Sequence, residues 1–179
     1  MIEYYVDKDG SIVARFSPKE WADWINEFLE ERTFLLIRER VTVEDEAKWL
    51  AKTISDIKKG IVIKVIAIDE DKNRIVGVCD VHKKKPLQAH GHNVSFGLAV
   101  RREYRGRGIG EKLLREGIRI AKEEFKAKNI WIEVVEGNEI AKRLYEKLGF
   151  KEVCRLKDYV NHFGKYKDRI VMRFKDEGF

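Results

Sequence analysis

Apolar positions at helical spacing give the first readable pattern along the chain. Trp21, Trp24, Ile25, Phe28 and Leu29 recur on one helical face. Ser17 followed by Pro18 reads as an N-cap with proline at the first helical position. A second helix is expected from near Thr42, with Glu44, Asp45 and Glu46 in a first turn that suits the helix dipole. Ala47, Leu50, Ala51, Ile54 and Ile57 make its apolar face, and Gly60 stops it. The pattern then changes. Residues 61–68 (IVIKVIAI) and 74–81 (RIVGVCDV) are rich in β-branched side chains, and DEDKN between them is turn chemistry, so a hairpin is expected.

A loop follows at 83–91 (KKKPLQAHG), then an alternating strand at 92–100 (HNVSFGLAV) interrupted by Gly97. A glycine inside a strand marks a bulge or a close backbone approach. The next helix turns Ile109, Leu113, Leu114, Ile118, Ala121 and Phe125 inward, and NIWIEVV (129–135) is a strand. Asn138 caps a short helix with Ala141, Leu144, Tyr145 and Leu148 on one face, and Gly149 ends it in a left-handed conformation. Strands at 150–156 and 166–174 are expected to pair across KDYVNHFGK. A strand–helix–strand unit inside otherwise antiparallel neighbours implies one α/β (α+β) domain over residues 1–179. Its sheet is mixed and mostly antiparallel, with helices on both faces.

Charge and cysteine content narrow the partners. Lys+Arg 37 against Asp+Glu 31 gives a net charge of +6, spread along the chain with no basic tail. The excess suits an anionic ligand or an acidic substrate. No nucleic-acid motif accompanies it, so nucleic-acid binding is a minor alternative. Cys79 and Cys154 lack metal-ligand spacing, and a reducing cytoplasm with free thiols is the simpler expectation. The N-terminus is polar and charged, with no signal-peptide pattern, and no apolar run approaches a membrane span. Neither a membrane partner nor a metal is expected.

The chemistry concentrates in RREYRGRGIGEKLL (101–114), where Gly106, Gly108 and Gly110 separate arginines from an apolar-periodic helix. Helix N-terminal amides lack internal partners and carry the positive end of the helix dipole. Glycines let backbone come close to a ligand, so the loop reads as an anion site suited to phosphate. Arg105 and Arg107 add charge and bidentate reach. A P-loop is excluded, because Gly110 is followed by Glu111, Lys112 and Leu113 rather than Lys and Ser or Thr. The dinucleotide fingerprint fails too, having Glu111 where its third glycine would stand.

The remaining pattern, Arg105-Gly106-Arg107-Gly108-Ile109-Gly110, resembles the pyrophosphate loop of the GCN5-related N-acetyltransferases. GNEIAKRLYEKLGF (137–150) is similar to that family's second signature, GLAV (97–100) to the end of its cofactor-binding strand, and FGKYKDRIVM (163–172) to the terminal strand of its amine, amino-acid and protein N-terminal branches. The resemblance runs from about residue 61 to the C-terminus. Residues 1–60 fit as a helical acceptor-side segment by position and length.

What the resemblance implies is acetyl-CoA as cosubstrate, without metal, held in a gap where the third strand splays from the fourth. Backbone groups of Leu98, Ala99 and Val100 would hold the pantetheine arm. Amides of Arg105, Gly106, Arg107, Gly108, Ile109 and Gly110 would hold the pyrophosphate. Asn138 would hydrogen-bond the pantetheine, and Tyr145 would protonate the leaving thiolate. The family's usual strand glutamate is replaced here by Ser95, so His92 is the leading candidate base, ahead of His90 or water alone. The implied acceptor is a primary amine, on a small molecule or a protein N-terminus, taken by direct transfer in a ternary complex, and the family admits a homodimer. The alternative is a catalytically silent CoA-binding module on the same fold. Trp21, Trp24 and Phe28 are core or pocket wall, and Asp23, Glu27, Glu30 and Glu31 are a wet face or an attraction for a cationic acceptor.

Overall fold

The computed structural model describes residues 1–84 and 89–175; Lys85 and the rest of the expected loop to Gln88 lie outside the described residues. Seven strands form one sheet: β1 (Ile2–Asp7), β2 (Val62–Asp69), β3 (Arg74–Lys83), β4 (Asn93–Val100), β5 (Asn129–Val135), β6 (Phe150–His162) and β7 (Lys165–Phe174). Their spatial order is β1-β2-β3-β4-β5-β7-β6. Helices α1 (Ser11–Ala14), α2 (Pro18–Glu30) and α3 (Val43–Lys58) precede β2, α4 (Ile109–Glu123) joins β4 to β5, and α5 (Glu139–Lys147) joins β5 to β6. Every recorded strand pairing is antiparallel except β4 with β5.

Two apolar layers sandwich the sheet. On one face α4 buries Ile109, Leu113, Leu114, Ile118 and Ala121 against Val65, Val76 and Phe96. On the other, Trp21, Trp24 and Phe28 of α2 and Leu50 and Ile57 of α3 cover Ile66, Ile68 and Val78. Covered on both sides, β2 is buried along its whole length and reads as a continuous apolar run. Lys64 is its one cationic residue, 2% exposed, with Nζ 2.5 Å from Asp80 Oδ1.

The expected helices are present, and their caps explain where they begin. Ser17 and Glu20 make a reciprocal capping box with Pro18 in the first turn, and Thr42 accepts from the Asp45 amide. α3 is rotated from the expected face: Glu46 and Thr53 are buried with Leu50 and Ile57, while Ala51 is exposed. The expected connection at 157–165 is mostly strand. β6 runs to His162, with a register shift near Asp158, and turns on Phe163 and Gly164, both at positive φ. A two-residue turn of that kind matches strand twist and closes a tight hairpin. Unexpected elements are β1 and the short α1. β1 supplies a sheet edge, so residues 1–60 are more than a helical segment.

The β1–β2 edge is clamped to the α1–α2 connection by Arg15, whose guanidinium reaches both Glu70 oxygens at 2.9 and 2.8 Å, while the Tyr5 hydroxyl donates to Glu70 at 2.7 Å. These donors hold the Glu70 carboxyl at about 2, below its ordinary 4.5. A depressed folded-state value means the contribution is complete above about pH 4.5 and is lost as pH falls towards 2. The Glu70→Gln variant is therefore expected to melt below the wild type at pH 7. The difference should shrink to nothing by about pH 2 in paired thermal melts.

Candidate active site

Pairing between β4 and β5 covers only Asn93–Asn129, Val94–Ile130 and Ser95–Trp131. Beyond these residues the strands continue but no longer pair, leaving the inner edges of 96–100 and 132–135 open to each other. Phe96 packs edge-on to Phe150 at 6.2 Å, and Tyr145 lies 6.1 Å from Phe150, so an aromatic cluster floors the gap from the α4 and α5 side. A cavity of about 730 Å³ opens there, lined by both strand edges, the glycine loop and the α2–α3 connection. That volume suits a ligand well above single-metabolite fragments in size.

The structure brings most of the sequence-predicted residues to this cavity. Leu98, Ala99, Val100, Arg105, Gly106, Gly108, Ile109, Gly110, Asn138 and Tyr145 line it; Arg107 is exposed beside it, over the Tyr104 ring at 5.2 Å. Gly106 and Gly108 sit at φ 74° and 77°, a left-handed backbone that side chains disfavour, with nothing within 4 Å of an added Cβ. Gly108 caps α4 without any side-chain bond to the helix amides. The first amides of α4 thus face the cavity mouth with their donors free of side chains, a cradle that fits a pyrophosphate.

The arginines divide differently from the expectation. Arg105 donates from Nε to the Val100 carbonyl at 2.8 Å and from both terminal nitrogens to Glu31 at 2.5 and 3.2 Å. Its guanidinium is held by α2's end, leaving backbone as its contribution to an anion. Arg101, 5% exposed, anchors the loop: its backbone amide bonds Val76, its Nε donates to the Ile75 carbonyl, and its terminal nitrogen pairs with Glu27. Glu27 also holds Arg74 at 2.9 Å. Two of the four carboxylates expected on α2's wet face therefore tie that helix to the segment that carries the glycine loop, and Phe28 and Glu31 wall the cavity.

Tyr145 is 6% exposed, and burial drives its phenol well above its ordinary value, with the neighbouring Cys79 thiol reinforcing the shift. It stays protonated at neutral pH. Asn138 accepts from the Ala141 amide at 3.4 Å as α5's N-cap while lining the cavity.

His92 lies elsewhere. It is exposed just before β4, at the paired end of the β4–β5 contact, and does not line the cavity. Of the cavity's carboxylates, Glu31 is held by Arg105 and Glu111 by Arg115 and Lys147, while Glu133 on β5 is exposed into the cavity and paired with Arg169 of β7. Glu133 is not among the residues that the sequence motifs single out. Its signal was alternation: Ile132 and Val134 are buried, which turns Glu133 to the opposite face. Among the described residues no cluster of potential metal ligands is found, and no helix is long and apolar enough to cross a membrane.

The chain belongs to the acetyltransferase (GNAT) family, whose model matches residues 19–150. An N-alpha-acetyltransferase of Sulfurisphaera tokodaii is 40% identical over 83 residues, 46% of this chain and 48% of that protein. The match thus spans about half the length of that curated relative. Among solved structures, a ribosomal-protein-alanine N-acetyltransferase from Brucella melitensis superposes with TM-score 0.73 at 23% identity, over 97% of this chain and 98% of that one. A Salmonella typhimurium protein solved with its cofactor acetyl-CoA gives 0.75 at 18% identity, covering 99% and 95%. These likenesses establish the fold.

The Gly108→Glu variant places a carboxylate and a strained backbone where the cradle needs open amides. Calorimetric titration is expected to show acetyl-CoA binding in the wild type and a loss of at least about ten-fold in the variant. The variant's circular dichroism should be unchanged.

Proposed function

We propose that the protein is an acetyl-CoA-dependent N-acetyltransferase whose acceptor is a polypeptide N-terminus, reached by direct transfer in a ternary complex. The observation that carries this reading is the convergence, in one cavity, of a pyrophosphate-sized amide cradle, two unpaired strand edges, Tyr145 and Glu133. The relatives named N-alpha-acetyltransferase support the acceptor class. So does the cavity's outer wall, where Phe34, Leu35 and Leu36 face Val160 and offer apolar surface to a side chain next to the amine. Two free thiols and the need for acetyl-CoA suit the cytoplasm.

Acetyl-CoA supplies an activated thioester carbonyl. The chain's residues supply position and protons. The unpaired backbone of Leu98 to Val100 is available to hold an extended pantetheine arm as an added strand. The loop and α4 amides hold the pyrophosphate, and Asn138 flanks the arm. An α-amine, with pKa about 7.7–8.0, needs only about 1 kcal/mol to lose its proton at pH 7, against roughly 4–5 kcal/mol for a lysine-like amine. Glu133, directly or through water, takes that proton. The amine nitrogen bonds to the carbonyl carbon, the carbon–sulfur bond breaks, and Tyr145 gives its proton to the departing sulfur.

Glu133→Gln is expected to lower kcat by about a hundred-fold or more and Tyr145→Phe by about ten- to a hundred-fold, both with acetyl-CoA affinity retained. His92→Ala should keep the wild-type pH–rate profile. Acetyl-CoA binding without turnover on any peptide or small amine would instead assign a silent binding module.

A further inference from the structure

Gly97 has no structural reason to be glycine. Its φ is ordinary for a strand, and a Cβ added to it would meet only Asp80 Oδ2 at 3.7 Å and Asp80 Cβ at 3.8 Å, ordinary contacts. Yet Gly97 is exposed and lines the active-site cavity. What the missing side chain leaves is a notch, and Asp80 of the neighbouring strand β3 is its floor.

Asp80 is half committed. Its Oδ1 receives Lys64 Nζ at 2.5 Å, while among the described residues Oδ2 takes no hydrogen bond. The side chain is 23% exposed, and Oδ2 lies 3.7 Å from where a Cβ at Gly97 would stand. Lys64 is 2% exposed, covered by the rings of Trp49 at 4.8 Å and Trp21 at 5.8 Å. The cation is therefore fixed, and it cancels most of Asp80's charge. A carboxylate neutralised on one oxygen is a poor site for a second cation. It remains a strong acceptor for a neutral N–H.

The register sets what can arrive. Lys64, Asp80 and Gly97 form one row across β2, β3 and β4. The matching parallel register, Ser95 with Trp131, puts Glu133 on the far side of the gap at the level of Gly97. All lie on the α2 and α3 face of the sheet. Gly97 and Glu133 face each other across the unpaired gap, wider than the about 4.8 Å of a paired ladder, and an extended peptide advances about 3.3 Å per residue. An amine beside Glu133 therefore brings its first or second amide over Gly97.

We infer that Gly97 and Asp80 form an acceptor subsite in which Asp80 Oδ2 accepts a hydrogen bond from a main-chain N–H of the peptide crossing β4. This rests on the acceptor being a polypeptide N-terminus. It makes Asp80 a residue that selects peptides over diamines, because the bonded group is a neutral amide.

The test compares a peptide substrate with two analogues in which the first or second amide is replaced by an ester, removing one N–H. In the wild type, one ester is expected to lose on the order of ten-fold in kcat/KM. Asp80→Ala combined with Lys64→Met removes the ion pair as a unit, and Glu46, whose carboxyl is already pushed up by burial, answers the loss of its offsetting cation by taking a proton. In that variant the ester penalty should fall to within about two-fold, with KM for acetyl-CoA unchanged. Gly97→Ala, which fills the notch and leaves the ion pair intact, should raise peptide KM and reduce the same penalty. Peptide turnover with no ester penalty in the wild type, or with a penalty undiminished in the double variant, overturns the subsite alone. Turnover of diamines and of no peptide overturns the subsite together with the acceptor reading.

Discussion

Three residue pairs hold β4 to β5, and the structure depends on there being no more. Each strand is satisfied on its outer side, β4 by β3 and β5 by β7, so neither is lost from the sheet when the inner contact ends. The divergence leaves unpaired amides and carbonyls, which carry a cost when buried. Opening a cavity at the break keeps them reachable by water or by a ligand's own donors and acceptors. The Phe96, Tyr145 and Phe150 rings fill the side that would otherwise collapse. The site is thus a defect in pairing held open by packing, not a pocket carved into a continuous sheet.

That arrangement links the two halves of the molecule electrostatically. Glu27 and Glu31 stand one turn apart on and just after α2, and each takes an arginine from the segment that ends β4. Arg101 is almost completely buried, stacked 5.1 Å from Trp24, so removing Glu27 would strand a charge. The α2–α3 connection, in turn, is held at its outer end by the hairpin tip, where His162 Nε2 meets the Thr33 carbonyl at 3.1 Å and stacks on Phe34. The cavity wall is consequently fixed at both ends, by an ion pair near the loop and by a ring stack near the mouth.

Much of this was legible beforehand for identifiable reasons. Caps and periodicity located α2, α4 and α5 because Ser17, Asn138 and Gly149 act within a few residues of themselves. The cofactor loop was legible because positive φ demands glycine at 106 and 108. What escaped depends on distant partners. Glu46 lies inward because Lys64 offsets part of its burial penalty, and nothing near residue 46 announces Lys64. β1 is half-buried, and its short alternation becomes meaningful only beside β2. His92 was favoured from a resemblance along one strand, whereas access to the gap depends on where β4 and β5 part, a property of two strands together.

The parting also separates Glu133 from Tyr145. Along β5, Ile132 and Val134 belong to the α4-side core, so Glu133 faces the α2 and α3 side. Tyr145 belongs to that α4-side core. The carboxylate and the phenol thus stand on opposite faces of one gap. Their surroundings differ: Glu133 is exposed and paired with Arg169, and Tyr145 is buried, which keeps its phenol protonated. In the proposed reaction an amine entering from the α2 and α3 face meets Glu133 before Tyr145, an order that follows from the alternation of a single strand.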